Sequence, residues 1–227
     1  IFRIKEIIQE LFPFFVGGSL GWHDYLASTA RLFKMDPNYR IPIKADPEIV
    51  IKHIKTSHYL IAKEIGERGG VAIGGMYGVL PESGNRTSYS LAIVGFIKDV
   101  LIQFKRGLNG FWVAHPDFVR VGIAIAFAWD RYIKNNDEEL LLNVIESLLP
   151  DEASFEKDNI LNFVKRDDVN IFKKDDPLFE RSLLAANIDS SISYKNSDSE
   201  EVRYNIFQAL QYLVDWLCGN GCVALPA

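Results

Sequence analysis

Gly70-Val71-Ala72-Ile73-Gly74-Gly75 is the stretch on which the fold turns. A short apolar run closed by glycines reads as a buried strand that ends in a tight turn. Before it, Glu48 to Glu67 carries Ile49, Val50, Ile54, Leu60 and Ile61 in a long helical pattern. After it, Pro81 to Thr87 reads as a polar loop and Tyr89 to Lys105 as a helix. The same order recurs on either side. Phe14-Phe15-Val16, running into Gly17-Gly18, reads as a buried strand after a helix over Phe2 to Leu11. A helix over Tyr25 to Phe33 follows, with Asp24 suited to its N-cap, and Pro37 to Pro47 reads as loop. Gly110-Phe111-Trp112-Val113-Ala114 is a third strand candidate, followed by His115-Pro116 and a helix from about Asp117. Short apolar strands alternating with helices are the mark of a parallel α/β sheet. Three such units do not close a barrel. They fit part of one, whose active site would lie at the C-terminal ends of the strands.

Beyond about Asn135 the pattern changes. No strand candidate remains, and Asp137 to Leu148 and Val202 to Leu217 read as helices. The fold class expected is therefore α/β, a partial (β/α)8 TIM barrel contributing its last strands, followed by an α-helical C-terminal domain. The boundary is placed between residues 1–135 and an incomplete helical domain over 136–227. No repeat of solenoid period and no low-complexity stretch interrupts the chain.

The 227 residues are 48% hydrophobic, enough for a sizeable core, and 24% charged, the usual share for a globular protein. A net charge of −5 argues against nucleic acid or an anionic membrane surface as a partner. The most apolar run, Val121 to Trp129, is too short to span a bilayer. Two cysteines, Cys218 and Cys222, make no disulfide framework and point to a reducing cytoplasm. The chain opens at Ile1 inside an amphipathic pattern and reaches Ala227 without a helix stop, so a fragment is expected.

The chemistry is sought at the strand ends. In Gly21-Trp22-His23-Asp24 a glycine lets backbone approach a ligand, and the aspartate stands at a strand-to-helix turn. A carboxylate there suits either a hard cation such as Mg²⁺ or a plain N-cap. In Gly74-Gly75-Met76 the glycines suit a tight turn or a close ligand approach, and Met76 suits either core packing or a flat ligand ring. In Trp112-Val113-Ala114-His115-Pro116 the histidine is a candidate acid, base or donor, or a structural residue. Gly219-Asn220-Gly221-Cys222 suits a helix C-cap, and with no histidine or further cysteine nearby a zinc site is not expected. The chain holds no P-loop, no G-x-G-x-x-G and no G-x-S-x-G. Asn85-Arg86-Thr87 matches a glycosylation sequon, which has no meaning in a cytoplasmic protein.

Four segments in this order make the sequence resemble the malate synthases. They are Gly21-Trp22-His23-Asp24-Tyr25; Arg68-Gly69-Gly70 through Gly74-Gly75-Met76; Gly110 through Pro116; and Gln211-Tyr212-Leu213 through Trp216-Leu217 to Gly219-Asn220-Gly221-Cys222-Val223. The resemblance implies a (β/α)8 barrel with an added C-terminal helical domain. It implies a Mg²⁺-dependent Claisen condensation of acetyl-CoA with glyoxylate, followed by hydrolysis of malyl-CoA to malate and CoA. By this resemblance Asp24 is the metal aspartate, and Gly21, Trp22 and His23 are the backbone stretch that holds glyoxylate. Met76, Trp112, Ala114 and Pro116 belong to the wall for the acetyl-CoA tail, and Cys222 lies near the site.

The resemblance also implies what lies elsewhere. The family's metal glutamate and catalytic arginine would precede this chain and its base aspartate would follow it. The 227 residues alone are therefore expected to be inactive. The best-known members read glycine, arginine, tryptophan, aspartate where this chain reads Gly21, Trp22, His23, Asp24, and a lysine where it has Val100 after Asp99. These differences suggest a distant branch. Two rival readings are another acyl-CoA lyase of the same barrel superfamily, of malyl-CoA or citramalyl-CoA type, and a non-catalytic relative. The match over Val202 to Cys222 argues against the first and an intact Asp24 against the second.

Overall fold

A computed structural model of the chain describes residues 1–37, 39, 52–168, 170–171, 173–177, 179–184, 199–219 and 225–226. Helix α1 (Ile4–Leu11) leads to strand β1 (Gly17–Ser19) and helix α2 (Trp22–Leu32). Helix α3 (Lys52–Gly66) precedes β2 (Val71–Tyr77) and the short β3 (Val79–Leu80). Helix α4 (Arg86–Lys105), β4 (Gly110–Val113) and α5 (Asp117–Asn135) complete the alternating region. Then come α6 (Glu138–Leu148), a 3₁₀ turn at Asp151–Ala153, α7 (Glu156–Lys165), α8 (Phe179–Leu184), α9 (Ser199–Leu217) and a two-residue strand β5 (Leu225–Pro226).

The sheet order is β1-β2-β4 and every pairing is parallel. All three strands therefore deliver their C-terminal ends to one edge, as part of a (β/α)8 barrel does. Among the described residues, helices cover one face of this sheet. The core sits between that face and α4 to α7, where Phe96, Ile97, Phe118, Leu141, Ile145 and Ile160 are buried together. Phe96 stacks on Phe118 at 4.6 Å and meets Phe111 of β4 edge-on at 5.9 Å. A smaller cluster of Ile8, Leu20, Ile61, Ile65, Ala72 and Leu108 seals α1 and α3 against β1 and β2.

Helix α4 is central, and its sequence explains why. Asn85 caps it by accepting the Ser88 N–H at 3.0 Å. Its 20 residues are apolar on most sides because sheet and helices surround it. By length and composition it is the helix among the described residues that could cross a bilayer, but its buried Ala92, Ile93, Phe96, Val100 and Leu101 make it a core helix. The apolar run Val121 to Trp129 lies inside α5, which Asn136 ends in a left-handed conformation (φ 54°). Asp137 then caps α6 by accepting the Leu140 N–H at 3.0 Å. Helices α6 and α7 share the core of α4 and α5.

The segment after α7 is tied back by charge. Arg106, at the end of α4, donates from its Nε and Nη2 to the two carboxylate oxygens of Asp168 at 2.8 and 3.2 Å. Lys55 of α3 joins Asp168 at 3.7 Å. Burial, and secondarily the Arg106 charge, push the neighbouring His58 down to about 3, so it is neutral at physiological pH.

Four expectations are corrected. The first strand is Gly17–Ser19, not Phe14–Val16, and Phe14 and Val16 are 87% and 78% exposed. The glycines pair because a β-carbon at Gly17 would stand 2.3 Å from the Val71 carbonyl oxygen. Helix α2 starts at Trp22 with Gly21 as its N-cap, so Asp24 lies in the first turn and is not the cap. Strand β2 runs on to Tyr77 and is buried on one face only, since Val71 and Met76 are exposed. A strand does occur after residue 135, because Leu225–Pro226 pairs in parallel with β3. Two residues are too few to leave a periodic signal. The helix read over Glu48 to Glu67 is described from Lys52 to Gly66. Of the loop read over Pro37 to Pro47, only Pro37 and Tyr39 lie within the described residues.

Candidate active site at the C-terminal edge of the sheet

Strand β1 ends at Ser19, and the chain turns through Leu20 and Gly21 straight into α2. The Leu20 N–H donates to the Ile73 carbonyl at 3.1 Å, which keeps this turn on the sheet. Gly21 sits at φ −80°, ψ 75°, and its carbonyl accepts the Tyr25 N–H at 2.9 Å. The first N–H groups of a helix have no partner within it, so Trp22, His23 and Asp24 present donors at this edge. Asp24 is exposed and folds back over the turn, with its Oδ2 3.3 Å from where a Gly21 β-carbon would stand. A carboxylate in the first turn also interacts favourably with the positive end of the helix dipole.

The turn is braced from behind. Trp22 packs into the smaller core cluster and meets His23 edge-on at 4.9 Å. His53 of α3 is fully buried; it stacks on Tyr25 at 5.8 Å and lies 6.3 Å from Trp22. The Tyr25 hydroxyl donates to the Leu183 carbonyl of α8 at 2.7 Å. Burial lifts its pKa to about 12, so the phenol remains a donor. The Trp22 Nε1–H is buried without a hydrogen-bond partner among the described residues.

Met76 and Trp112 are register partners on β2 and β4, and both are about half exposed on the face without helices. The Trp112 Nε1–H donates to Ser19 Oγ at 2.9 Å. Ser19 is on β1, two strands away and about 10 Å across the sheet. The indole therefore spans β2 where Gly74 and Gly75 have no side chains to obstruct it. This contact brings Trp112 within two residues of Gly21, so the first and third motifs meet. Ala114 and Pro116 follow β4 at the same edge, and Pro116 occupies the N-cap of α5. His115 Nδ1 accepts the Asp117 N–H at 3.3 Å, a structural role at the start of α5.

Beside this edge a cleft of about 940 Å³ opens between the β3–α4 loop and the turn after α6. Leu80, Asn85, Tyr89, His115, Asp117 and Pro150 are among its walls. Cys222 lies outside the described residues, as do Asn220 and Gly221. Gly219, two residues beyond the end of α9 at Leu217, has φ 80°, the left-handed conformation expected of a glycine closing a helix. Cys218 is exposed.

A family model described as the malate synthase TIM barrel domain matches residues 1–161. The chain belongs to the malate synthase family. The glyoxysomal malate synthase of Brassica napus is 26% identical over 225 residues, covering 99% of this chain and 34% of that protein. The malate synthase of Myxococcus xanthus is 25% identical over 224 residues, with 99% and 34% covered. Malate synthase A of Escherichia coli is 23% identical over 226 residues, with 99% and 35% covered. The chain thus spans about a third of the length of these malate synthases. The barrel match runs through α6 and into α7, the helices that share the core of α4 and α5.

Sequence reasoning missed three residues that organise the edge. Ser19 links Trp112 to β1, and Asp99 with Gln103 reaches the glycines of β2 from behind. The available signal was two polar residues four apart on the buried face of α4, among Phe96, Val100 and Phe104.

Proposed function

We propose that this chain carries part of the site at which acetyl-CoA condenses with glyoxylate to give malate and CoA, with Mg²⁺ as cofactor. The reading rests on the Gly21–Asp24 turn, which presents an exposed carboxylate and helix-start N–H groups at the C-terminal end of β1. Malate synthase membership supplies the reaction class. Among the described residues no three His, Cys, Asp or Glu side chains cluster as a ready cage. Of this chain's residues, Asp24 would provide one carboxylate to the metal. Such a sparse set fits Mg²⁺, which keeps several waters and takes one or two carboxylates with substrate oxygens.

The metal, when bound, supplies polarisation of the aldehyde oxygen and stabilises negative charge there. The chain's own residues bind and orient. The N–H groups of Trp22 and His23 suit the carboxylate of glyoxylate, as helix starts suit anions. Met76 and Trp112 offer an apolar wall for the thioester arm, and Ala114 and Pro116 leave it room. Cys222 belongs to the same proposal. The compartment proposed is the cytoplasm, from the two-cysteine composition, although the plant relatives are named for the glyoxysome.

The test is thiol release from acetyl-CoA by the full-length polypeptide, with glyoxylate and Mg²⁺ each present or omitted. Release that needs both supports the reading. No release, or release from malyl-CoA or citramalyl-CoA alone, would replace it with a non-catalytic relative or an acyl-CoA lyase.

A further inference from the structure

We propose that Asp99 and Gln103 are positioning residues for this site: a buried polar clasp that holds a bulge in β2 and thereby turns Met76 onto the face of Trp112. The inference rests on the proposed function for its catalytic consequence and on geometry alone for its structural one. Ile73 pairs with Gly110 and Met76 with Trp112, so three steps along β2 match two along β4. The extra residue falls at Gly74-Gly75. In an unbroken strand, side chains alternate, and Met76 would share the face of Ala72 and Gly74 under α4. The added residue reverses the alternation beyond it. Met76 then emerges beside Trp112, while Tyr77 turns under α4, with its hydroxyl 2.0 Å from where a Gly95 β-carbon would stand.

Side chains hold the bulge from both faces. From the open face, Ser19 Oγ donates to the Gly74 carbonyl at 3.4 Å and accepts the Trp112 indole at 2.9 Å. From the helix face, Gln103 Nε2 donates to the Gly75 carbonyl at 3.3 Å and to Asp99 Oδ2 at 2.6 Å. Asp99 fixes which way the amide faces, because a carboxylate accepts only from the NH₂ end. A β-carbon at Gly74 would stand 1.8 Å from Gln103 Oε1, so the amide occupies the space that a side chain at residue 74 would need.

This arrangement carries a cost in stability. Gln103 is buried, its Oε1 has no hydrogen-bond partner among the described residues, and burial pushes Asp99 up to about 6. Buried polar groups without full partners destabilise a core. An apolar side chain would fill the site without that penalty but would leave the Gly75 carbonyl and the bulge unheld. The clasp therefore acts on geometry.

The experiment compares Gln103→Leu and Asp99→Asn with wild type in the full-length polypeptide. Amide hydrogen exchange over residues 74–77 is one readout, and KM for acetyl-CoA against kcat and the KM for glyoxylate is the other. Gln103→Leu should exchange about tenfold faster over 74–77, the loss of one ordinary hydrogen bond. It should raise the KM for acetyl-CoA by a similar factor, with the KM for glyoxylate unchanged. Asp99→Asn keeps an acceptor for Gln103 and should leave both readouts close to wild type. Unchanged exchange over 74–77 in Gln103→Leu overturns the clasp, whatever the kinetics. Should wild type show no turnover of acetyl-CoA with glyoxylate, the proposed function fails while the exchange comparison still decides the clasp. If Gln103→Leu does not fold, Asp99→Ala takes its place with the same two readouts.

Discussion

Replacing Asp99 by asparagine should stabilise the fold above neutral pH and do nothing in acid. Burial in α4 raises the Asp99 carboxyl from the ordinary 3.8 to about 6, against the lowering effects of the Gln103 hydrogen bond and the Arg106 charge. A raised carboxyl holds its proton more tightly in the folded chain than in the unfolded one. Below about pH 3 both states are protonated and the residue carries no ionisation penalty. Between about 4 and 6 the unfolded chain loses its proton first and stability falls. Above about 6 the penalty is complete, and two pKa units correspond to about 3 kcal/mol. Asparagine keeps the shape and an acceptor for Gln103 but has no proton to lose. Denaturant unfolding at a series of pH values should therefore show the variant about 2 to 3 kcal/mol more stable at pH 8, converging with wild type by about pH 3. Subtracting the curves cancels the other carboxylates. A difference independent of pH, or a variant less stable than wild type at pH 8, would refute the reasoning.

Two further substitutions probe the packing. Phe96→Ala removes the ring that Phe111 and Phe118 meet and should cost about 3 to 5 kcal/mol in denaturant unfolding; a cost under about 1 kcal/mol would mean that α4 is not the core helix. Gly74→Ala drives a methyl into Gln103 and should cost about 1 to 3 kcal/mol. Combined with Gln103→Ala the cost should shrink, and strictly additive losses would show that the two residues do not compete for the same space.

The alternating units were legible because β2 and β4 are short runs with apolar residues and glycine at one end, and because helices of 15 and 20 residues flank β2. Asn85 and Asp137 stand at helix starts where their residue types predispose them to cap. Other features were not legible, for identifiable reasons. Phe14 to Val16 is apolar, but an apolar run is buried only where something covers it, and pairing was decided by how closely Gly17 can approach Val71. Asp24 is a good N-cap by type, yet the chain turns helical at Trp22 because Gly21 can take the cap position and Tyr25 bonds back to it. The bulge at Gly74-Gly75 leaves no periodic trace, since two glycines have no side chains to alternate. Its consequence was hidden with it: nothing in the local pattern shows that Met76 and Trp112 share a face. The Gly21-Trp22-His23-Asp24 motif and the Trp112 motif were found separately. Only the indole's reach across β2 to Ser19 joins them.

We propose that the Gly21–Asp24 turn belongs to a Mg²⁺-dependent malate synthase site. The measurement that tests it most directly is glyoxylate-dependent thiol release from acetyl-CoA by the full-length Asp24→Ala variant across a Mg²⁺ titration, with circular dichroism as the fold control. The expected result is an intact fold with turnover lost at every Mg²⁺ concentration, because a metal ligand has gone. Unchanged turnover and an unchanged Mg²⁺ dependence in a folded variant would contradict the claim.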